Sequence, residues 1–218
     1  MKHAHDKEGG MDSSPRTGYA SSSEFRDAFS KYAFSEIMGA VPPILSPHPH
    51  TLKAAWLETK LGPMVAISDA QGLYLLEFEG KHALEREVAR LKLKTRASII
   101  LPGMADPIAS IALELEAYFK GTLTEFKTPL HFWGTPFQNL VWQELKRTPY
   151  GQTRSYKAQA EAIGKHTAYR AVANANGANP LALVIPCHRI IYSNGGFAGY
   201  SAGIGRKQWL IDHEKHHA

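Results

Sequence analysis

Residues 183–191 read Leu183-Val184-Ile185-Pro186-Cys187-His188-Arg189-Ile190-Ile191. This apolar run carries the single cysteine of a 218-residue chain, set between a proline and a histidine. With one thiol no intrachain disulfide is possible, and the lone cysteine fits a reducing, cytoplasmic setting. The thiolate is the nucleophilic form of cysteine, and a neighbouring base raises its population. His188 is adjacent in sequence and suited to take the thiol proton, directly or through water. An imidazole in that role needs an acceptor behind it, ideally a carboxylate. Residues 131–218 hold four carboxylates: Glu144, Glu161, Asp212 and Glu214. Glu214 lies at the end of a final apolar helix containing Trp209-Leu210-Ile211, which suits a buried role. The same stretch also reads as a structural cysteine beside a surface His-Arg pair, and spacing alone does not choose between the two.

Outward from this stretch, the pattern is helical. Phe137, Val141, Trp142 and Leu145 share one face of a helix predicted over 136–147, which Pro149-Tyr150-Gly151 breaks. Ser155 is expected to cap a short helix to Ile163, Gly164 to make a turn, and Thr167 to cap a second helix through Asn176. Helix, glycine turn, helix is a helix-turn-helix pattern. The second helix is slim, with Ala168, Ala171, Ala173 and Ala175, and Arg170 is its only cation. A slim helix suits either close packing against other helices or approach to a groove. Charge favours a polyanion slightly: residues 131–218 hold ten Lys/Arg against four Asp/Glu, whereas residues 1–130 hold 15 against 16.

The N-terminal half reads differently. Ala54–Thr59, Met64–Ile67 and Leu73–Phe78 are short apolar runs separated by turn residues, which predicts an antiparallel meander. A helix over 81–92, a strand over 97–101 and a helix through Ile108, Ile111, Leu115 and Phe119 follow. Residues 1–17 are polar and read as a disordered lead-in. Residues 21–32 place Phe25, Ala28, Phe29 and Tyr32 on one helical face, and Pro42-Pro43, Pro47 and Pro49 then make a linker. No apolar run is long enough to span a bilayer, so no membrane partner is expected. The expected division is 1–17, 18–50, 51–130 and 131–218.

Pro186-Cys187-His188-Arg189 closely resembles the active-site signature of the O6-alkylguanine-DNA alkyltransferases. The match begins near Gly134-Thr135-Pro136-Phe137-Gln138 and Val141-Trp142. It continues through Pro149 to Tyr156, Arg170-Ala171-Val172-Ala173, Asn179-Pro180, Gly199-Tyr200 and Arg206-Lys207 to Glu214, with the motifs in the family's order. The resemblance implies an α+β chain. An N-terminal ribonuclease H-like α/β domain would precede a mainly α-helical domain with a helix-turn-helix.

It also implies a function. A methyl or larger alkyl group would pass from O6 of guanine in double-stranded DNA to Cys187, irreversibly and once per protein, after base flipping. O4 of thymine is a second candidate substrate. His188 would hold an activating water, with Glu214 behind it. Asn179 would brace an active-site strand. Tyr156 would help rotate the nucleotide and hydrogen-bond the base, and Arg170 would fill the gap left in the stack. Ser155, Ala168 and Ser193 would meet DNA, and Tyr200, Ser201 and Ile190 would line the guanine pocket, with the Ser201 amide at O6. The family works as a monomer without a cofactor. Some lineages carry a structural zinc held partly by cysteines, and this chain has none to spare, so no metal is expected.

Gly18 to Tyr32 resembles the last recognition-helix segment of arabinose-regulator-type helix-turn-helix domains, which precede alkyltransferase domains in bacterial adaptive-response regulators. Residues 18–45 then read as a remnant of such a module. Two rival readings remain at this point. One is a transcription regulator retaining a damage-sensing domain, for which half a module is too little. The other is an alkyltransferase-like lesion binder, a class that replaces the acceptor cysteine present here as Cys187.

Overall fold

The computed structural model describes residues 51–79, 84–97, 99–197 and 199–218, without the side chain of Glu85. The expected lead-in, remnant helix and proline-rich linker lie outside these residues.

Strands β1 (Thr51–Leu57), β2 (Met64–Ser68) and β3 (Leu73–Phe78) form the expected antiparallel meander. The β2–β3 turn is set by Asp69, whose Oδ1 accepts from the amides of Gln71 (2.7 Å) and Gly72 (2.9 Å). Helix α1 (Leu84–Thr95) then crosses over to β4 (Ile99–Pro102), which pairs parallel to β1. A parallel return of this kind needs such a crossover. The sheet order is β3-β2-β1-β4. Helix α2 (Asp106–Phe119) covers one face through Ile108, Ile111, Leu115 and Tyr118. Leu84 and Leu91 of α1 join the apolar cluster on the other. With both faces covered, β2 and β3 are buried at every position, which is why their sequences read as continuous apolar runs.

The outer edge of β3 is closed by the rest of the chain. The Leu73 amide donates to Pro129 O (2.8 Å) and the Leu76 amide to Pro180 O (2.9 Å), while the Ala182 amide donates back to Leu76 O (2.8 Å). The edge strand is thereby protected, and the segment leading to Cys187 is fixed against the sheet. One apolar core runs through both halves, from Leu73, Leu76 and Phe78 to Val141, Leu181, Ile185 and Leu210.

The C-terminal half contains α3 (Pro136–Leu145), β5 (Arg154–Ser155), α4 (Tyr156–Ala162), α5 (Tyr169–Gly177), a 3-10 turn (Cys187–Arg189), β6 (Ile190–Ile191) and α6 (Ile204–His216). Thr135 and Gln138 form a capping box at the start of α3. Ser155 caps α4, its Oγ accepting from the Ala158 amide at 3.0 Å. Gly164, at φ +68°, makes the turn toward α5 in the left-handed region that glycine enters freely. Gln159 and Asn176 exchange amide hydrogen bonds between α4 and α5 (2.7 and 3.3 Å), and Trp142 Nε1 ties α3 to Ala175 O (2.8 Å). These buried contacts fix the angle between α4 and α5.

Two sequence expectations are corrected. Thr167 does not cap α5. The helix begins one residue later, with Ala168 at the cap position and no side-chain cap bond, because a turn closed by the Ala168 amide onto Lys165 O (2.8 Å) intervenes. Nor is the active-site strand that the resemblance implies found in residues 181–187. They coil through tight turns, with Leu183 at φ +70°, into the 3-10 turn that bears Cys187.

Candidate active site

The coil from Asn179 to Cys187 is wholly buried, so its backbone polar groups need partners. Asn179 supplies several of them. Its Nδ2 donates to Ile185 O (2.8 Å), and its Oδ1 accepts from the Leu181 amide (3.0 Å). The same Nδ2 lies 3.2 Å from Cys187 Sγ and donates to it. One asparagine side chain thus holds the turn in shape and places an N–H on the sulfur, where it favours the thiolate. Cys187 is 7% exposed.

His188 is fully buried, and its Nε2 lies 2.8 Å from Glu214 Oε1. Burial, with the nearby Arg189 and Lys207 charges, pulls its pKa below 6.5 despite the pull of Glu214 in the other direction. The ring is therefore neutral at pH 7. With Nε2 facing a carboxylate, the proton resides on Nε2 and Nδ1 carries the lone pair. That Nδ1 is enclosed and accepts no hydrogen bond from the described residues.

Glu214 is 1% exposed, yet it is ionised. Burial alone would raise its pKa, but hydrogen bonds from His188 and Arg189, with the Arg189 charge and, at acid pH, that of protonated His188, outweigh burial and hold it at about 2. Arg189 grips it with Nε to Oε2 (2.8 Å) and Nη2 to Oε1 (3.0 Å). The Tyr118 hydroxyl donates to Oε1 from α2 (2.8 Å), and the Gly151 amide to Oε2 (3.4 Å). Gly151 must be glycine: its φ is +74°, and a Cβ there would lie 2.5 Å from the Cβ of Ala218. Arg189 also donates from Nη1 to Thr148 O (2.6 Å), so each of its three nitrogens has a partner.

The structure brings two buried pairs together, Asn179 on the Cys187 sulfur and His188 on Glu214, joined by the peptide bond between Cys187 and His188. Ile190 is buried as well, its carbonyl accepting from the buried Lys207 Nζ. The Tyr200 hydroxyl is enclosed and makes no hydrogen bond with the described residues. Burial first, then the Cys187 charge, raises its pKa well above 10, so it stays a donor. Ser201 next to it is exposed. Tyr156, Arg170 and Ser193 line a surface cleft together. Burial and the Cys187 charge push the Tyr156 phenol up to about 12. Ser155 and Ala168 sit at the N-cap positions of α4 and α5, next in sequence to the cleft residues Tyr156 and Tyr169.

Sequence reasoning assigned no role to Arg189, Lys207 or Tyr118. Arg189 and Lys207 stand inside quoted motifs. Tyr118 continues the Ile108–Ile111–Leu115 stripe and was legible as buried, though not as a partner of Glu214. Among the described residues no group of three or more histidine, cysteine or acidic side chains is placed to hold a metal ion.

Comparison with known proteins gives this arrangement a family. Residues 52–132 match the family described as 6-O-methylguanine DNA methyltransferase, ribonuclease-like domain, and residues 136–216 match its DNA binding domain. The methylated-DNA–protein-cysteine methyltransferase of Methanosarcina barkeri is 39% identical over 160 residues, 73% of this chain and 94% of that protein. The protein of that name from Shigella flexneri is 40% identical over 159 residues, 72% and 92% of the two chains. The crystal structure of Mycobacterium tuberculosis OGT in complex with DNA superposes with a TM-score of 0.65 at 36% identity, covering 77% of this chain and 94% of that one. With both family regions present in order, the chain belongs to the 6-O-methylguanine DNA methyltransferase family.

Proposed function

We propose that this chain repairs double-stranded DNA by moving an alkyl group from O6 of guanine onto Cys187 Sγ, once and irreversibly. The observation that carries the proposal is the polarity of His188. Its Nε2–H is committed to Glu214, and its Nδ1 lone pair is left as the proton acceptor nearest in sequence to the thiol. The Cys187 proton passes to Nδ1 through a bridging water, and Asn179 Nδ2 stabilises the thiolate formed. Sγ attacks the alkyl carbon, the carbon–oxygen bond breaks, and the electron pair departs on guanine O6. The proton held on His188 balances that charge, and the Ser201 amide and Tyr200 hydroxyl serve as donors to the leaving base. The resulting thioether has no good leaving group, so no second cycle follows.

O6 is inaccessible inside a duplex, so the base must be flipped. Tyr156, next to the thiol, assists the rotation and then hydrogen-bonds the base, and Arg170 fills the gap in the stack. The outward face of α5 is thin, with Ala171, Asn174 and Gly177 exposed beside Arg170, which suits approach to a minor groove about 6 Å wide. Ser155, Ala168 and Ser193 flank this surface. In this reading residues 51–130 support the catalytic part, 131–218, and the protein acts as a cytoplasmic monomer without a cofactor. No helix of the described residues is long and apolar enough to cross a membrane.

Intact-mass spectrometry after incubation with duplex DNA containing O6-methylguanine tests the proposal. One methyl group per protein, located on Cys187 by peptide mapping, is the expected result. Multiple turnover, or transfer by Cys187→Ser, would overturn it.

A further inference from the structure

A cleft of about 530 Å³ opens between α4, α5 and the segment after β6, and Tyr156, Lys157, Tyr169, Arg170, Tyr192 and Ser193 line it. Cys187 is not part of its lining. The thiol is buried, and the Tyr156 phenol in the cleft lining feels its charge. The roles assigned above use Tyr156 and Arg170 but leave Tyr169 and Tyr192 without a task. Both are large rings presented to solvent, 46% and 51% exposed. The Tyr192 ring lies 6.0 Å from that of Tyr156 at 51°, and the Arg170 guanidinium lies 5.8 Å from the Tyr169 ring.

A surface that only gripped phosphates would need cations and small donors. This cleft combines aromatic faces with Lys157 and Arg170, the side-chain set that binds extrahelical bases by stacking while cations track the backbone. Its place matters as much. Tyr192 follows β6 directly, five residues beyond Cys187, and its ring neighbours that of Tyr156, which lines the cleft and feels the thiol's charge.

We propose that Tyr192, with Tyr169 on the α5 wall, forms a stacking station for an extrahelical nucleobase, outside the alkyl-acceptor pocket and on the path into it. The proposal rests on the alkyl-transfer reading for its purpose but not for its binding chemistry. Every base has a π-face, so the station takes normal and alkylated bases alike. Discrimination is left to the buried pocket.

The test has two arms, applied to the full chain and its Tyr192→Phe, Tyr192→Leu and Tyr169→Leu variants. In the first, a single-stranded oligonucleotide containing 2-aminopurine is titrated, and stacking is read as quenching of the probe. Tyr192→Phe keeps the quenching, and Tyr192→Leu loses it with about a tenfold weaker affinity. Tyr169→Leu gives a smaller loss. In the second arm, transfer from DNA is divided by transfer from free O6-benzylguanine. That ratio falls about tenfold in Tyr192→Leu and is restored in Tyr192→Phe. Unchanged quenching in Tyr192→Leu overturns the station. So does an equal loss on DNA and free base, which would put the ring in the acceptor pocket. Ring-dependent quenching by a chain that transfers nothing supports the station and overturns the alkyl-transfer reading instead.

Discussion

Replacing Glu214 by glutamine removes one charge and almost no volume, and its cost follows from the donors around it. Arg189 Nε and Nη2, His188 Nε2, the Tyr118 hydroxyl and the Gly151 amide all point at the carboxylate. Every one of them is a donor. A glutamine offers one oxygen and turns an NH2 toward at least one of these groups, leaving a buried guanidinium without its counter-charge. Removing one partner of a buried pair costs roughly 3–5 kcal/mol. The titration gives a separate figure. A carboxyl lowered from 4.5 to about 2 contributes on the order of 3 kcal/mol at neutral pH. Because the folded pKa is the lower one, this contribution is complete above 4.5 and disappears as pH falls toward 2. His188, with its pKa lowered below 6.5, adds an acid-labile contribution of the same sign, because the unfolded chain takes that proton first. Urea denaturation at pH 7, 5 and 3 is the assay. Glu214→Gln should lose about 3 kcal/mol at pH 7, and the gap to the parent should narrow markedly by pH 3. A loss below about 1 kcal/mol, or a gap that does not change with pH, would refute the view that Glu214 is an ionised, fully committed hub.

Three further outcomes are expected. Arg170→Ala should slow methyl transfer from duplex DNA about tenfold or more relative to transfer from a free alkylated base, since its proposed work is in the stack; equal losses in a single-turnover assay would contradict this. Duplex affinity should fall steeply between low and physiological salt, with little dependence on sequence, because the basic C-terminal half is proposed to contact phosphates; a flat salt titration would count against it. A chain beginning at Thr51 should accept the methyl group within about threefold of the full-length rate, because every residue assigned to chemistry lies beyond 150. A soluble, folded truncation slowed by tenfold, about 1.4 kcal/mol in barrier, would make the N-terminal segment part of the working protein.

How much of this was legible in the sequence depended on distance along the chain. Cys187 and His188 are adjacent, and Asn179 is eight residues away, so a quoted motif held them together. Glu214 was reachable because only four carboxylates stand in the C-terminal half and one of them ends an apolar helix. Tyr118 was not reachable as a partner, since its hydroxyl meets Glu214 across 96 positions, and a tyrosine on an amphipathic stripe looks like ordinary core. The segment before Cys187 was expected as a strand only on the resemblance, since apolar content signals burial rather than conformation. It coils instead because the Asn179 side chain supplies hydrogen bonds that a strand ladder would otherwise provide. The start of α5 was misplaced by one residue because Thr167 is a better cap than Ala168 by type, and the turn onto Lys165 overrides type.

The Tyr118–Glu214 bond also explains what the N-terminal sheet contributes to a reaction whose reacting groups all lie elsewhere. Glu214 must remain ionised in a site closed to water, and a buried carboxylate does so only when its donors are held in place. Three of those donors, from His188, Arg189 and Gly151, belong to turns, which are weakly constrained by themselves. The fourth comes from α2, whose position is set by its packing on the sheet. The sheet acts on the active-site coil a second time, where Leu76 of β3 exchanges backbone hydrogen bonds with Pro180 and Ala182 on either side of Leu181. Both attachments bear on the orientation of His188 and the position of Sγ, one through the carboxylate and the other through the Asn179-braced coil. A protein that reacts once needs no opening and closing cycle to release a product from its acceptor. Rigidity at the sulfur therefore costs it nothing in turnover, and the N-terminal sheet is a frame built to supply that rigidity.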